Sequence, residues 1–180
     1  FEEDADRAHA LALYLLPFLR PMIEGPTPLH MIDAPTENSG KSLLLRVLLL
    51  PGIGSPPELY SWPESRAEQQ KLLLSALLAG RPVIAFDNVN GEVGGPDLER
   101  VLTSTVTTDR VLGVSQTATV QNRAIWALTG NNCTLSRDMV RRTVRLRLDA
   151  GMTDPGERSY THPNIQRWTT ERRAELAGAA

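Results

Sequence analysis

The segment 29–48 constrains the fold of this chain more than any other. Leu29-His30-Met31-Ile32 reads as a short buried strand ending at Asp33-Ala34, and Lys41 to Leu48 as an apolar helix halted by Pro51. Between them lies the loop Pro35-Thr36-Glu37-Asn38-Ser39-Gly40. A strand, a loop and a helix opening on Gly40-Lys41-Ser42 suit a polyphosphate. Consecutive backbone N–H groups at a helix N-terminus supply donors and the favourable end of the helix dipole. Lys41 brings a fixed positive charge to the β- and γ-phosphates, and the Ser42 hydroxyl is placed to ligate Mg²⁺. Gly40 has no side chain to hold phosphates away from the backbone. One position departs from G-x-x-x-x-G-K-[ST]: Pro35 stands where the first glycine belongs, so the loop entrance must differ from the common form. A chance Gly-Lys-Ser would not need a strand before it and a helix after it. The expected ligand is ATP with Mg²⁺, held by residues 35–42.

A second apolar run, Pro82 to Asp87, ends in an acid, as a buried parallel strand would. A carboxylate at the tip of such a strand, beside a phosphate loop, is placed to hold Mg²⁺ and its waters together with Ser42. Without the loop, Asp87 would be only a surface acid closing a strand. The next residue is Asn88, where many such sites place a glutamate. An amide cannot usefully accept a proton, though it can orient water by hydrogen bonds. Asn88 acting in that way, Glu92 reaching in, and slow hydrolysis are all compatible with the sequence.

The chain has 180 residues, enough for one domain with a real core. A net charge of −2 gives no global basic field, so contact with DNA or RNA would be local or shared among subunits. A single cysteine, Cys133, excludes an internal disulfide framework and accords with a reducing cytoplasm. The apolar stretch Leu11 to Leu19, interrupted by Pro17, is too short to cross a bilayer. We divide the chain into residues 1–28 (a helix and a Pro-rich connector), a core at 29–149, and a tail at 150–180 that opens a further helix. It looks like a piece of a longer protein. A strand at Glu58–Trp62, a helix at Glu64–Leu78 stopped by Gly80, a turn at Gly91–Pro96 and a helix at Asp97–Ser104 are expected. Arg110–Val114 and Thr117–Arg123 would pair as a hairpin around Ser115-Gln116. Strands at Ala124–Thr129 and Thr143–Leu148 complete a three-layer α/β fold with a mainly parallel sheet.

Four pieces in this order resemble the AAA+ ATPases, in particular the superfamily 3 and related phage and mobile-element primase-helicase ATPases. They are Ala34-Pro35 to Gly40-Lys41-Ser42, Val83 to Asp87-Asn88, Leu128-Thr129-Gly130-Asn131-Asn132, and Arg141-Arg142 before a strand. The resemblance implies a P-loop NTPase fold with a β-hairpin inserted before a polar sensor strand. That strand would lie between the two nucleotide motifs, with Asn131, or else Asn132, touching the γ-phosphate or its attacking water. A capped turn is the plainer reading of the asparagines. Arg142, with Arg141, resembles the arginine finger that completes a neighbour's site. Arg145 and Arg147 read as a solvated basic face. A homo-oligomeric ring, commonly a hexamer, acting on single-stranded DNA follows from the resemblance. The DNA signal itself is thin, since the hairpin interval offers only Arg110 and Arg123 and no aromatic for stacking; a local ion pair is the plainer reading of Arg110 beside Asp109. The function expected is a helicase-type motor. The alternative is an ATP-gated oligomerisation or binding module with weak hydrolysis, and a small-molecule kinase ranks last. His30, Trp62 and Trp126 are expected in the core, and Cys133 lacks the nearby base a nucleophile needs.

Overall fold

The computed structural model describes residues 1–111, 116–149, 151 and 160–180. Five parallel strands form the central sheet: β1 (Leu29–Ala34), β2 (Leu59–Ser61), β3 (Val83–Val93), β6 (Ile125–Leu135) and β7 (Thr143–Arg147). Their order across the sheet is β2-β3-β6-β1-β7. Strand β6 therefore separates β1 from β3, with Met31 opposite Leu128 on one side and Phe86 opposite Leu128 on the other.

Alternation along the strands builds the two outer layers. Leu29, Met31, Ile84, Phe86, Trp126 and Leu128 face one side, where Leu73 and Leu77 of α3 (Arg66–Leu78) and Leu98 and Val101 of α4 (Pro96–Val101) cover them. Ile32, Val83, Ala85, Ile125 and Ala127 face the other, against Leu13 and Leu16 of α1 (Asp4–Leu19) and Leu45 and Leu49 of α2 (Lys41–Ile53). A strand whose every side chain is buried, as in β1, needs such cover on both faces. Trp126 is fully buried, and Trp62 meets Phe86 edge-on at 4.7 Å between ring centres. Two short helices, α6 (Ile165–Glu171) and α7 (Arg173–Gly178), follow the tail, and Arg173 Nε donates to the Pro51 carbonyl at 3.0 Å.

The architecture is the expected α/β one, with several shifted boundaries. Pro51 does not halt α2. It lies in the last turn, and the helix ends at Gly54, whose φ of +87° suits glycine. Strand β3 runs through the expected turn at Gly91, because β6 continues beside it as far as Leu135. The hairpin is antiparallel and forms its own sheet, β4 (Val106–Val111) with β5 (Gln116–Gln121). It starts earlier than expected and leaves Arg123 outside the strand; residues 112–115 of its tip lie outside the described residues. Between α4 and β6 in the chain, it occupies the interval expected of an insertion before the sensor strand. A four-residue helix, α5 (Arg137–Val140), leads into β7.

Candidate functional site

All strands of the sheet point the same way, so the C-terminal ends of β1, β3 and β6 meet at one edge. The loop after β1 bends back to α2 there, with Asn38 at φ +55° and Gly40 at φ +87°. An open cleft of about 550 Å³ lies between this loop and the neighbouring strands. Glu37, Asn38, Ser39, Gly40, Lys41 and Ser42 line one side, and Asp87, Asn88, Thr129 and Asn131 the other. Pro35 and Thr36 shape the loop entrance instead of lining the cleft.

Lys41 is buried, and its ammonium donates to the Thr36 carbonyl at 3.2 Å, Ser39 Oγ at 3.0 Å and Asn131 Oδ1 at 2.7 Å. Burial holds its pKa below the ordinary lysine value, with Asp33, Asp87 and Glu37 acting against that effect. Ser42 Oγ donates to Asp87 Oδ1 at 2.5 Å. The hydroxyl of Thr129, fully buried on β6, donates to the same carboxylate oxygen and accepts the Asn88 N–H at 3.1 Å. Asn131 Nδ2 donates to Asn88 Oδ1 at 3.0 Å, so one amide bridges the lysine to the residue after the acid.

Two local distortions make this possible. The β3–β6 register shifts between Phe86 and Val89, a bulge that sets Asp87 and Asn88 off the regular ladder. Asn38, Asn88 and Asn132 are the non-glycine residues with positive φ among the described residues; the first two line the cleft and the third follows Asn131, which does. Asparagine tolerates this left-handed region better than most residues. Gly130 permits the tight course of β6, since a Cβ there would come within 2.2 Å of Cys133 Sγ and 2.7 Å of the Val89 carbonyl.

Beneath the loop lies a feature the sequence reading missed. Asp33 is fully buried at the end of β1, and both Arg145 and Arg147 of β7 reach its Oδ2 at 2.5 Å. These arginines are more than a solvated face: Arg145 stays exposed and Arg147 half-buried, yet register with β1 sets both guanidiniums on a buried carboxylate. Cys133 N–H donates to the other oxygen at 3.2 Å, and Asn132 Nδ2 donates to the Pro35 carbonyl at 3.1 Å. The loop entrance, where proline replaces glycine, is thus held through its carbonyl. The Cys133 thiol donates to the Val89 carbonyl, and burial foremost, then Asp33, raises its pKa.

Arg141 and Arg142 lie elsewhere. The Arg142 carbonyl accepts from Leu29 N–H, at the start of β1, so both arginines sit at the sheet edge opposite the cleft, roughly 16 Å away along a six-residue strand. Both pair locally with Asp138, at 3.3 Å and 3.6 Å. Glu92 is exposed on β3 beyond the cleft lining. Asp109 is held by Arg100 at 2.7 Å and by Gln70.

No protein-family model matches the sequence, and no curated protein matches it. Among the solved structures to which the chain is similar are two of JCV helicase. One, the X-ray structure of JCV helicase, has 15% identity and a TM-score of 0.49, covering 78% of this chain and 40% of that one. The other is JCV helicase bound to N-(4-(2-(thiazolo[5,4-c]pyridin-2-yl)phenoxy)phenyl)acetamide, with 12% identity and a TM-score of 0.47, covering 98% of this chain and 53% of that one. The chain thus spans about half or less of the length of these structures. At such identity the site has to be read from its own residues. Among the described residues no helix is long and apolar enough to cross a membrane.

Proposed function

We propose that the chain binds Mg-ATP in this cleft and serves as the ATPase core of a helicase-type motor. The convergence of Lys41, Ser42, Asp87, Thr129 and Asn131 on one loop–helix junction carries the reading. Charge supports the requirement for a metal. The cleft lining holds Glu37 and Asp87 against Lys41, so a polyphosphate entering alone would meet a net negative wall. Ser42 and Asp87 offer the hard oxygen donors Mg²⁺ prefers, and one carboxylate with substrate phosphates and waters is its usual coordination. When bound, the ion would neutralise charge on the phosphate oxygens. Asn88 and Asn131, joined by a hydrogen bond, are placed to orient a water beside the terminal phosphate.

Work on DNA in phage or mobile-element replication is the wider proposal, resting on the order of the four motifs and on the hairpin before β6. Arg142 sits too far from its own cleft to act there, which supports a ring in which it serves a neighbour's site. Asn88 supports a second reading, an ATP-gated assembly module with weak hydrolysis, because an amide stands directly after Asp87 where such sites place a glutamate, and an amide orients water without accepting its proton. ATPase activity of the full-length protein separates them. The motor reading expects turnover stimulated by single-stranded DNA, abolished by Lys41→Ala, and lowered by Arg142→Ala with nucleotide affinity kept. Negligible turnover combined with ATP-driven assembly would select the module instead.

A further inference from the structure

A second concave site lies at the opposite edge of the sheet, where β3 and β6 begin. A cavity of about 460 Å³ has Arg20, Arg81 and Arg123 on its walls and no carboxylate among its lining residues. A neighbouring cavity of about 370 Å³ at the root of the hairpin shares Arg20, Pro21, Gln121 and Arg123, and carries one acid, Glu24.

Arg20 is only 8% exposed. Its guanidinium donates to the carbonyls of Ile23 at 2.9 Å, Gly25 at 3.0 Å and Asn122 at 3.2 Å, tying the connector to the end of the hairpin. Carbonyls satisfy hydrogen bonds but leave the charge uncompensated. Its Nε is buried without a partner, and the charged group nearest in effect is another cation, Arg123. Arg123 is exposed and has no carboxylate partner among the described residues. Arg81 is neutralised by Glu58 at 2.9 Å, so the excess charge belongs to Arg20 and Arg123. Buried charges in proteins are ordinarily paired, and a buried guanidinium behind an exposed one on the same cavity wall leaves that pairing to an anion from outside. The planar fork of arginine favours a tetrahedral oxyanion.

We propose that this arginine cavity is a phosphate-binding site, separate from the nucleotide cleft. Arg123 is its accessible ligand, and Arg20 provides the buried charge behind it. Two sources share this chemistry, a free oxyanion and a phosphodiester of single-stranded nucleic acid passing the root of the hairpin, and the titrations below distinguish them. The site stands without the nucleotide reading, because none of its residues touches the cleft.

The test is calorimetric titration of the chain carrying Lys41→Ala, which disables the cleft, first with inorganic phosphate and then with oligothymidylate at low salt. Saturable phosphate binding, weakened about tenfold or more by Arg123→Ala, is the expected result. An equal loss for oligothymidylate, with a salt dependence smaller by about one ion, would identify the phosphodiester as the source. Loss for phosphate alone would identify a free oxyanion. Arg20→Lys, which keeps the charge but loses the fork, should also weaken binding if it folds. Binding unchanged by Arg123→Ala, or no binding of either ligand, overturns the proposal.

Discussion

Asp33 carries more of the site's geometry than its place before the loop suggests. Fully buried, it is tolerable only because Arg145, Arg147 and the Cys133 N–H surround it. Asp33→Asn keeps the shape and removes the charge, leaving two guanidiniums facing each other. Both arginines reach water, so the loss should fall at the low end for a broken buried pair, about 3 kcal/mol. Thermal denaturation should show a melting temperature lower by roughly 6–12 °C for a chain of this size; an unchanged melting temperature would mean the cluster contributes no stability. His30 makes a separate prediction. Buried on β1, its pKa falls from 6.5 to about 4, by desolvation first and by His9 second. A lowered histidine pKa means the unfolded chain binds the extra proton more readily. Its contribution to stability is therefore complete above pH 6.5 and is lost as pH falls toward 4, amounting to roughly 3 kcal/mol. His30→Leu should flatten this acid limb relative to the wild type in melting curves taken between pH 4 and 7.

At the scale of elements, Asn122 fastens the hairpin to the core. Only 2% exposed, it donates through Nδ2 to the Val101 carbonyl at 2.5 Å and accepts the Trp126 indole N–H at 3.1 Å. Asn122→Ala strands both partners in a dry environment, at about 1–3 kcal/mol. The melting temperature should drop while nucleotide affinity holds, because Asn122 lies at the far edge of the sheet from the cleft. Elements differ in how far the sequence discloses them. The strand, loop and helix of 29–48 are contiguous, so their chemistry can be read from neighbours in the chain. Asp87 and the asparagines of β6 are legible for the same reason, each at the end of its own apolar run. The Thr129 bond to Asp87 depends on β3 and β6 pairing in parallel with a bulge, which no local pattern encodes. The arginines on Asp33 stand 112 and 114 residues away from it, and only the register of β7 against β1 brings them to it. Alternation along β7 gives the period of these side chains but not the carboxylate they face.

For the molecule as a whole, the two edges of one parallel sheet hold different chemistry. The C-terminal edge gathers Lys41, Ser42, Asp87, Thr129 and Asn131 into a single cleft. The opposite edge presents Arg141 and Arg142 beside β1 and the arginine cavity beside β3 and β6. A ring in which the arginine edge of one copy meets the cleft of the next would use both, and this is the arrangement proposed above. Its foundation is nucleotide binding in the cleft. Titration of a fluorescent ATP analogue into the chain, with and without Mg²⁺ and with Lys41→Ala alongside, tests that most directly. Saturable binding that requires Mg²⁺ and is lost in Lys41→Ala, while the fold persists by circular dichroism, is the expected result. Absence of binding to the wild type, or binding of equal strength to the folded Lys41→Ala variant, would contradict it.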